Sequence, residues 1–195
     1  MKHLLAAALL ALALPGAASA LSFSGNFGVS GSALSDPGLV VQTNPSSGPF
    51  GFDLDVGQST QINLFDIWTN EGALNADDLV PRKLDVAFNL VTPTGSGSLS
   101  GTTFASIFLP HGEVKWDGPL KLGFGNGGVL SVALNDAWFN TGLFGLNPGE
   151  RKGADIYATF TYEKSPSAVP LPAGLGLMAA GMGAIGVAAR RRKAA

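Results

Sequence analysis

Cysteine is absent from all 195 residues. That excludes a disulfide framework, a thiolate metal site, an iron–sulfur cluster and a cysteine nucleophile. Charge is scarce, at 13% of the chain. Histidine is scarcer still: His3 and His111 are the two present. No GxSxG turn offers a nucleophilic serine, so a Ser-His-Asp hydrolase lacks its first member. His111, in LPHGEV, reads as an exposed loop residue. Glu113 two positions on makes an incomplete metal pair with it. The middle of the chain holds no amphipathic helix of three turns and no repeat of fixed period. The expectation is a chain that is not an enzyme and needs no cofactor.

What is present begins with the two ends. The N-terminus reads MKHLLAAALLALALPGAASA. Lys2 and His3 form a basic start, residues 4–14 an apolar run of Leu and Ala, and Pro15-Gly16 a helix break. Ala18 and Ala20 are the small residues a signal peptidase inspects, so residues 1–20 read as a secretory signal peptide cleaved after Ala20. The apolar run is too short for the roughly 20 residues of a spanning helix.

At the other end, residues 171–189 carry no charge and would span about 28 Å as a transmembrane helix, close to a bilayer's hydrocarbon thickness. Arg190, Arg191, Arg192 and Lys193 follow as a basic stop on the cytoplasmic side. The helix is built of small residues, among them Gly174, Gly176, Gly181, Gly183 and Gly186. Such a face lets helices approach closely in lipid and is only marginally hydrophobic, which suits a transient stay in the membrane.

Val169-Pro170-Leu171-Pro172-Ala173, the small-residue helix and the terminal basic cluster together closely resemble the PEP-CTERM sorting signal, in its VPLPA variant. Leu171 stands where the commonest form of that signal has Glu. The resemblance covers residues 169–195 and implies recognition by an exosortase, a membrane-embedded cysteine transpeptidase of Gram-negative bacteria. It implies a bacterial protein destined for the cell surface or the extracellular matrix, where exopolysaccharide is an expected neighbour.

Between the ends lies an acidic stretch. All fourteen Asp and Glu fall in residues 21–168, with seven Lys and Arg, for a net charge of −7. Nucleic-acid binding needs clustered cations and is not expected. With no cross-links, a core of ordinary size must hold this stretch together.

Its hydrophobic period is two. Leu84, Val86, Phe88 and Leu90 alternate with polar or small residues; so do Ile156, Ala158, Phe160 and Tyr162, and Leu130, Val132 and Leu134. Ile62 and Leu64 begin another run. Shorter strand candidates are residues 22–29, 102–109, 113–116 and 120–124. Loops are expected at residues 44–49, 92–97, 117–119 and 147–149, and Asn126-Gly127-Gly128 should close a tight hairpin. The reading is an all-β domain over residues 21–164: an antiparallel β-sandwich, jelly-roll or Ig-like, of seven to ten short strands. A linker at residues 165–168 follows it, and signal and transmembrane helices flank it.

Four features could carry binding chemistry. Asp53 and Asp55 place two carboxylates on one face of an extended segment, and Asn75, Asp77 and Asp78 gather oxygens in a loop; these are weak calcium candidates that lack EF-hand spacing. On the simpler reading all four carboxylates are solvated. Paired acids also suit glycoside hydrolysis, a reading with little to support it. Trp68, Trp116, Trp138, Phe139 and Tyr157 could form a sugar-stacking platform or fill the core. Trp138 and Phe139 are adjacent, so on a strand they face opposite ways.

Overall fold

The computed structural model describes residues 20–167. Residues 1–19 of the expected signal peptide, the expected sorting motif at residues 169–173, the expected membrane helix and the basic cluster at residues 190–193 lie outside the described residues. Among the described residues, no helix is long and apolar enough to cross a membrane.

Among the described residues, eleven strands form two antiparallel sheets that pack face to face: β1 (Leu21–Ser30), β2 (Val41–Asn44), β3 (Ser47–Leu54), β4 (Ser59–Thr69), β5 (Arg82–Thr92), β6 (Gly95–Ser106), β7 (His111–Trp116), β8 (Leu120–Phe124), β9 (Gly128–Leu134), β10 (Ala137–Phe139) and β11 (Ala154–Lys164). The first sheet runs β10-β7-β6-β5-β1-β3 and the second β2-β4-β11-β9-β8. Short 3-10 turns occupy Ser32–Leu34, Asp77–Leu79 and Glu150–Lys152.

The alternating runs are strands as read, with Leu84, Val86, Phe88 and Leu90 on β5 and Ile156, Ala158, Phe160 and Tyr162 on β11 all buried. The β8–β9 hairpin closes through residues 125–127, with Phe124 opposite Gly128. The count exceeds the expected seven to ten by one, and β2, β3 and β10 lie outside the runs read as strands. β3 begins inside the expected loop at residues 44–49 and contains Gly48, Pro49 and Gly51; it is an edge strand, where proline's missing N–H costs little. β2 and β10 are too short to show a period. β6 begins at Gly95, so the loop expected over residues 92–97 shrinks to a tight turn. On β4, Leu64 and Phe65 are both buried because the β4–β11 register shifts between Ile156 and Tyr157, a bulge that resets the alternation.

The sheets meet through aromatic rings. Phe160 on β11 lies 5.1 Å from Phe50, 4.7 Å from Phe52 and 5.9 Å from Phe88, all on the opposing sheet. Phe23 on β1 meets Phe124 at 5.5 Å and Tyr162 at 5.2 Å, both edge-on. Phe27 and Phe65 stack at 6.2 Å. Gly25 sits between these β1 rings, where the β1–β5 ladder shifts register; a Cβ there would run into the Asn89 carbonyl and the Phe50 ring.

The ladders give the molecule two distinct poles. Leu21 pairs with Leu54, Lys164 with Val129, and the Ser167 N–H donates to Asn126 O at 2.8 Å. Both described ends therefore share one pole, called proximal below, with the turns after β3, β5 and β8. At the distal pole, Ser106 pairs with His111, Phe139 with Gly112, Val41 with Thr69 and Ala154 with Ile67. An eleven-residue strand such as β11 separates the poles by about 35 Å.

Removing the central ring should be costly. Phe160→Ala is expected to lose about 3–5 kcal/mol in urea denaturation, whereas Phe108→Ala, on the exposed β6–β7 turn, should stay within about 0.5 kcal/mol of the parent. Equal losses from the two would mean that the rings do not join the sheets.

Candidate functional site

The distal pole gathers four connections, residues 31–40, 70–81, 107–110 and 140–153, and two of them supply most of its cleft. One is the β6–β7 turn, residues 107–110. The other is the β10–β11 connection, residues 140–153. Neither follows a strand period, so hydrogen bonds place them instead.

Asn140 is the organising residue. It is fully buried and has a positive φ of 52°, a left-handed conformation that asparagine tolerates better than most residues. Its Oδ1 accepts the Thr69 N–H at 2.8 Å, and its Nδ2 donates to the carbonyls of Asn147 and Gly149. Its backbone N–H donates to Lys152 O at 2.6 Å, and its carbonyl accepts from the Asn147 N–H at 2.9 Å. One side chain thus closes the loop on itself and ties it to the end of β4. Thr69 extends the network: its hydroxyl donates to Val40 O at 2.8 Å and accepts from the Glu71 N–H at 3.1 Å.

The two loops are stapled together by the Gly142 N–H, which donates to Pro110 O at 2.8 Å, and the Leu146 N–H donates to Gly72 O at 3.1 Å. Gly142 and Gly145 come so close that a Cβ on Gly142 would strike the Gly145 carbonyl. Between the loops lies a cleft of about 550 Å³, lined by Gly72, Leu109 and residues 141–147. Leu109, Leu143 and Phe144 are exposed beside it, Ile107 and Phe108 are exposed on the same turn as Leu109, and both phenylalanines are fully exposed. Residues 107–110 and 141–149 include no titratable side chain. These two stretches offer apolar surface and backbone groups.

His111 lies beneath the tip. It is the first residue of β7 and is buried, which corrects the exposed-loop reading. Its ring lies 4.5 Å from that of Trp138, and its Nδ1–H donates to Leu109 O. It supports the β6–β7 turn. Glu113 is ion-paired with Lys115 at 3.0 Å.

The other expected residues are dispersed. Trp138 is exposed and Phe139 sits in the core, facing opposite ways as expected. Trp116, on β7, donates its indole N–H to Asn135 O at 3.0 Å, while Trp68 and Tyr157 belong to the second sheet. The five aromatics form no single platform. Asp53 accepts from the Ser22 hydroxyl on the exposed face of β3, and Asp55 lies beyond the strand's end. Asp78 is buried, contrary to the solvated reading, because its carboxylate accepts the Asn75 N–H at 2.7 Å; Asp77 likewise accepts the Gly38 N–H at 3.0 Å. These carboxylates tie down turns. Among the described residues, no three His, Asp or Glu converge as a metal cage.

Two carboxyls are perturbed by like charges. Asp66 and Asp155 face each other across β4 and β11. Burial, the shared hydrogen bond with Asp155 and the charges of Asp155 and Glu150 raise the Asp66 pKa. Glu71 is also raised, chiefly by burial and further by Asp78 and Asp36, although the Val40 N–H offsets part of this. Asp85 is the converse. Burial pushes it up, but the Ser100 hydroxyl at 2.6 Å and Lys83 at 3.0 Å outweigh that and hold it below its ordinary value.

Sequence reading passed over Asn140, Phe108 and Phe144. Phe108 fell within an expected strand at residues 102–109. The available signal for Phe144 was two large apolar residues between glycines, Gly142-Leu143-Phe144-Gly145, in a stretch without period. Comparison with family models, with curated proteins and with solved structures finds no match to this chain.

Asn140→Ala should cost about 2–4 kcal/mol in denaturant, since it leaves buried groups unpaired and puts alanine in the left-handed region. Asn140→Asp, which loses both Nδ2 donors, should cost at least as much; a loss under about 0.5 kcal/mol from either would remove Asn140 from its organising place.

For the carboxyls the sign follows from linkage. A raised folded-state pKa contributes stability below the ordinary carboxylate value, and that contribution is lost as pH rises through the folded value. Asp66→Asn and Glu71→Gln should therefore raise Tm at pH 7, with the gain shrinking as pH falls toward 4. Asp85→Asn should lower Tm at pH 7 and matter least below pH 3.8, its ordinary value. Thermal melts across that range check all three.

Proposed function

We propose that this chain is an exported bacterial surface or extracellular-matrix protein, structural or adhesive in role and not an enzyme. A β-sandwich domain over residues 21–164 is its working part. In this reading, signal peptidase removes residues 1–20 after Ala20. The helix at residues 171–189 then holds the protein in the membrane with Arg190, Arg191, Arg192 and Lys193 inside. An exosortase-like transpeptidase recognises Val169, Pro170, Leu171, Pro172 and Ala173 and passes the domain to the cell surface or beyond, in the neighbourhood of exopolysaccharide.

The observation that carries the reading is the polarity of the domain. Both described ends leave from the proximal pole, while the most exposed apolar side chains, Phe108, Leu143 and Phe144, stand at the distal one; the smaller Val56 and Val91 are exposed at the proximal pole. A domain tethered through its C-terminal segment would present that tip away from the membrane. The acidic, cysteine-free composition suits a soluble domain outside the cell.

A second reading, an extracellular carbohydrate- or calcium-binding module, draws on the exposed Trp138 and on the Asp66–Asp155 pair, whose mutual repulsion a cation would relieve.

Intact mass of protein recovered from bacterial cells, with fractionation, tests the first reading. Loss of residues 1–20 is expected, and deletion of residues 169–195 should leave the melting temperature unchanged while moving the protein to a different fraction. Neutral replacement of residues 190–193 should disturb membrane topology in a protease-protection assay. An uncleaved N-terminus, or unchanged location after the deletion, would refute the sorting reading. Thermal melts with Ca²⁺, EDTA and neutral polysaccharides separate the second reading, because a ligand of the folded state raises Tm.

A further inference from the structure

Asparagine is a chemically labile side chain, because the main-chain nitrogen of the next residue can attack its amide carbon. The attack needs a following residue with an N–H and little bulk. It also needs an amide side chain free to turn, and a main-chain N–H that no acceptor holds.

The other asparagines of residues 20–167 each fail a condition. Asn44 and Asn147 precede proline, which has no N–H. Asn140 is buried, with its amide bonded to Thr69, Asn147 and Gly149. The Asn135 amide is held by the Tyr157 N–H at 2.6 Å and by Asp155 O at 3.2 Å. Asn26, Asn63, Asn70, Asn75 and Asn89 are followed by residues that carry a Cβ.

Asn126 meets every condition. It is exposed, in the turn at residues 125–127 that joins β8 to β9. Gly127 follows it at φ 83°, where a Cβ would meet nothing within 4 Å. Among the described residues, neither the Asn126 side-chain amide nor the Gly127 N–H has a hydrogen-bond partner. The main-chain carbonyl of Asn126, by contrast, is in use. It accepts the Ser167 N–H at 2.8 Å, and a Cβ on Gly125 would lie 3.3 Å from the Pro166 ring. These contacts pin the last described residues to the turn.

We infer that Asn126 is a self-modification site, which deamidates through a cyclic imide with water as its co-reactant and thereby frees residues 165–167 from the turn. The Gly127 nitrogen bonds to Asn126 Cγ, and its proton leaves with the side-chain nitrogen as ammonia. Water then opens the imide. Breaking the bond from nitrogen to Cγ gives aspartate; breaking the bond from nitrogen to the original main-chain carbonyl gives isoaspartate. In isoaspartate the chain runs through Cγ. The turn gains a methylene group, and the carbonyl that held Ser167 becomes a free carboxylate off the main chain. Phe124 and Gly128 pair across this turn, so the added length must displace it. The chemistry rests on no reading of where the protein goes.

The full chain, purified in detergent and held at mildly alkaline pH, should gain about 1 Da in intact mass. A peptide map should place isoaspartate at residue 126. Asn126→Gln keeps an amide but must close a larger ring, and it should convert about tenfold more slowly or less. Hydrogen exchange at the Ser167 amide should be about tenfold faster in the isoaspartate form than in fresh protein. It should be unchanged in fresh Asn126→Asp, whose main chain is intact. An unchanged mass, or conversion of Asn126 no faster than that of Asn75, would overturn the site. So would isoaspartate confined to Asp117-Gly118, a pair that forms the same imide with no change of mass. Converted protein in which the Ser167 amide stays as protected as before would overturn the release.

Discussion

The contact of Phe160 with Phe50, Phe52 and Phe88 is the constraint on which the rest of this molecule rests. No disulfide crosses between the sheets, so ring packing and aliphatic burial must hold them together. β11 supplies Phe160 and Tyr162 from the middle of the second sheet, while β1, β3 and β5 supply the facing rings. Once those rings are in register, the directions of the strands follow, and with them the side of the molecule on which every loop emerges.

That register also explains the awkward carboxyls. Ile156 must face the core opposite Phe65, and Ala154 pairs with Ile67; Asp155 is then placed directly opposite Asp66. Two like charges across a ladder are unfavourable. The hydrophobic pattern overrides them because sliding the strand by one residue would turn every buried side chain of β11 toward water. Asp85 shows the compatible case, where its neighbours on and across the strand are Lys83 and Ser100.

Much of the sheet structure was legible in the residues. The runs in β5, β9 and β11 declared their inward faces, and Asn126-Gly127-Gly128 marked its hairpin. β3 was hidden, because Gly48, Pro49 and Gly51 read as turn residues and only an edge position admits them to a strand. His111 was hidden in the opposite sense: flanked by Pro110 and Gly112 it reads as loop, yet it heads β7 with its ring against Trp138. Of the candidate site, the divergence of Trp138 and Phe139 was foreseeable from strand geometry. The meeting of Leu109 with Leu143 and Phe144 at one cleft was not, since Leu109 lies over thirty residues from either, in a loop without period.

The sequence by itself determined the all-β class, the inward faces of β5, β9 and β11, the acidic balance and the absence of any cysteine chemistry. These are local or additive properties, settled by alternation, turn residues and counting. Tertiary structure alone decided the sheet order, the polarity that sets both described ends opposite the apolar tip, and the fold of that tip around Asn140. The reason is physical. Which strands pair, and which loops meet, depends on side-chain packing between residues distant in the chain, and a two-residue period carries no record of its partner.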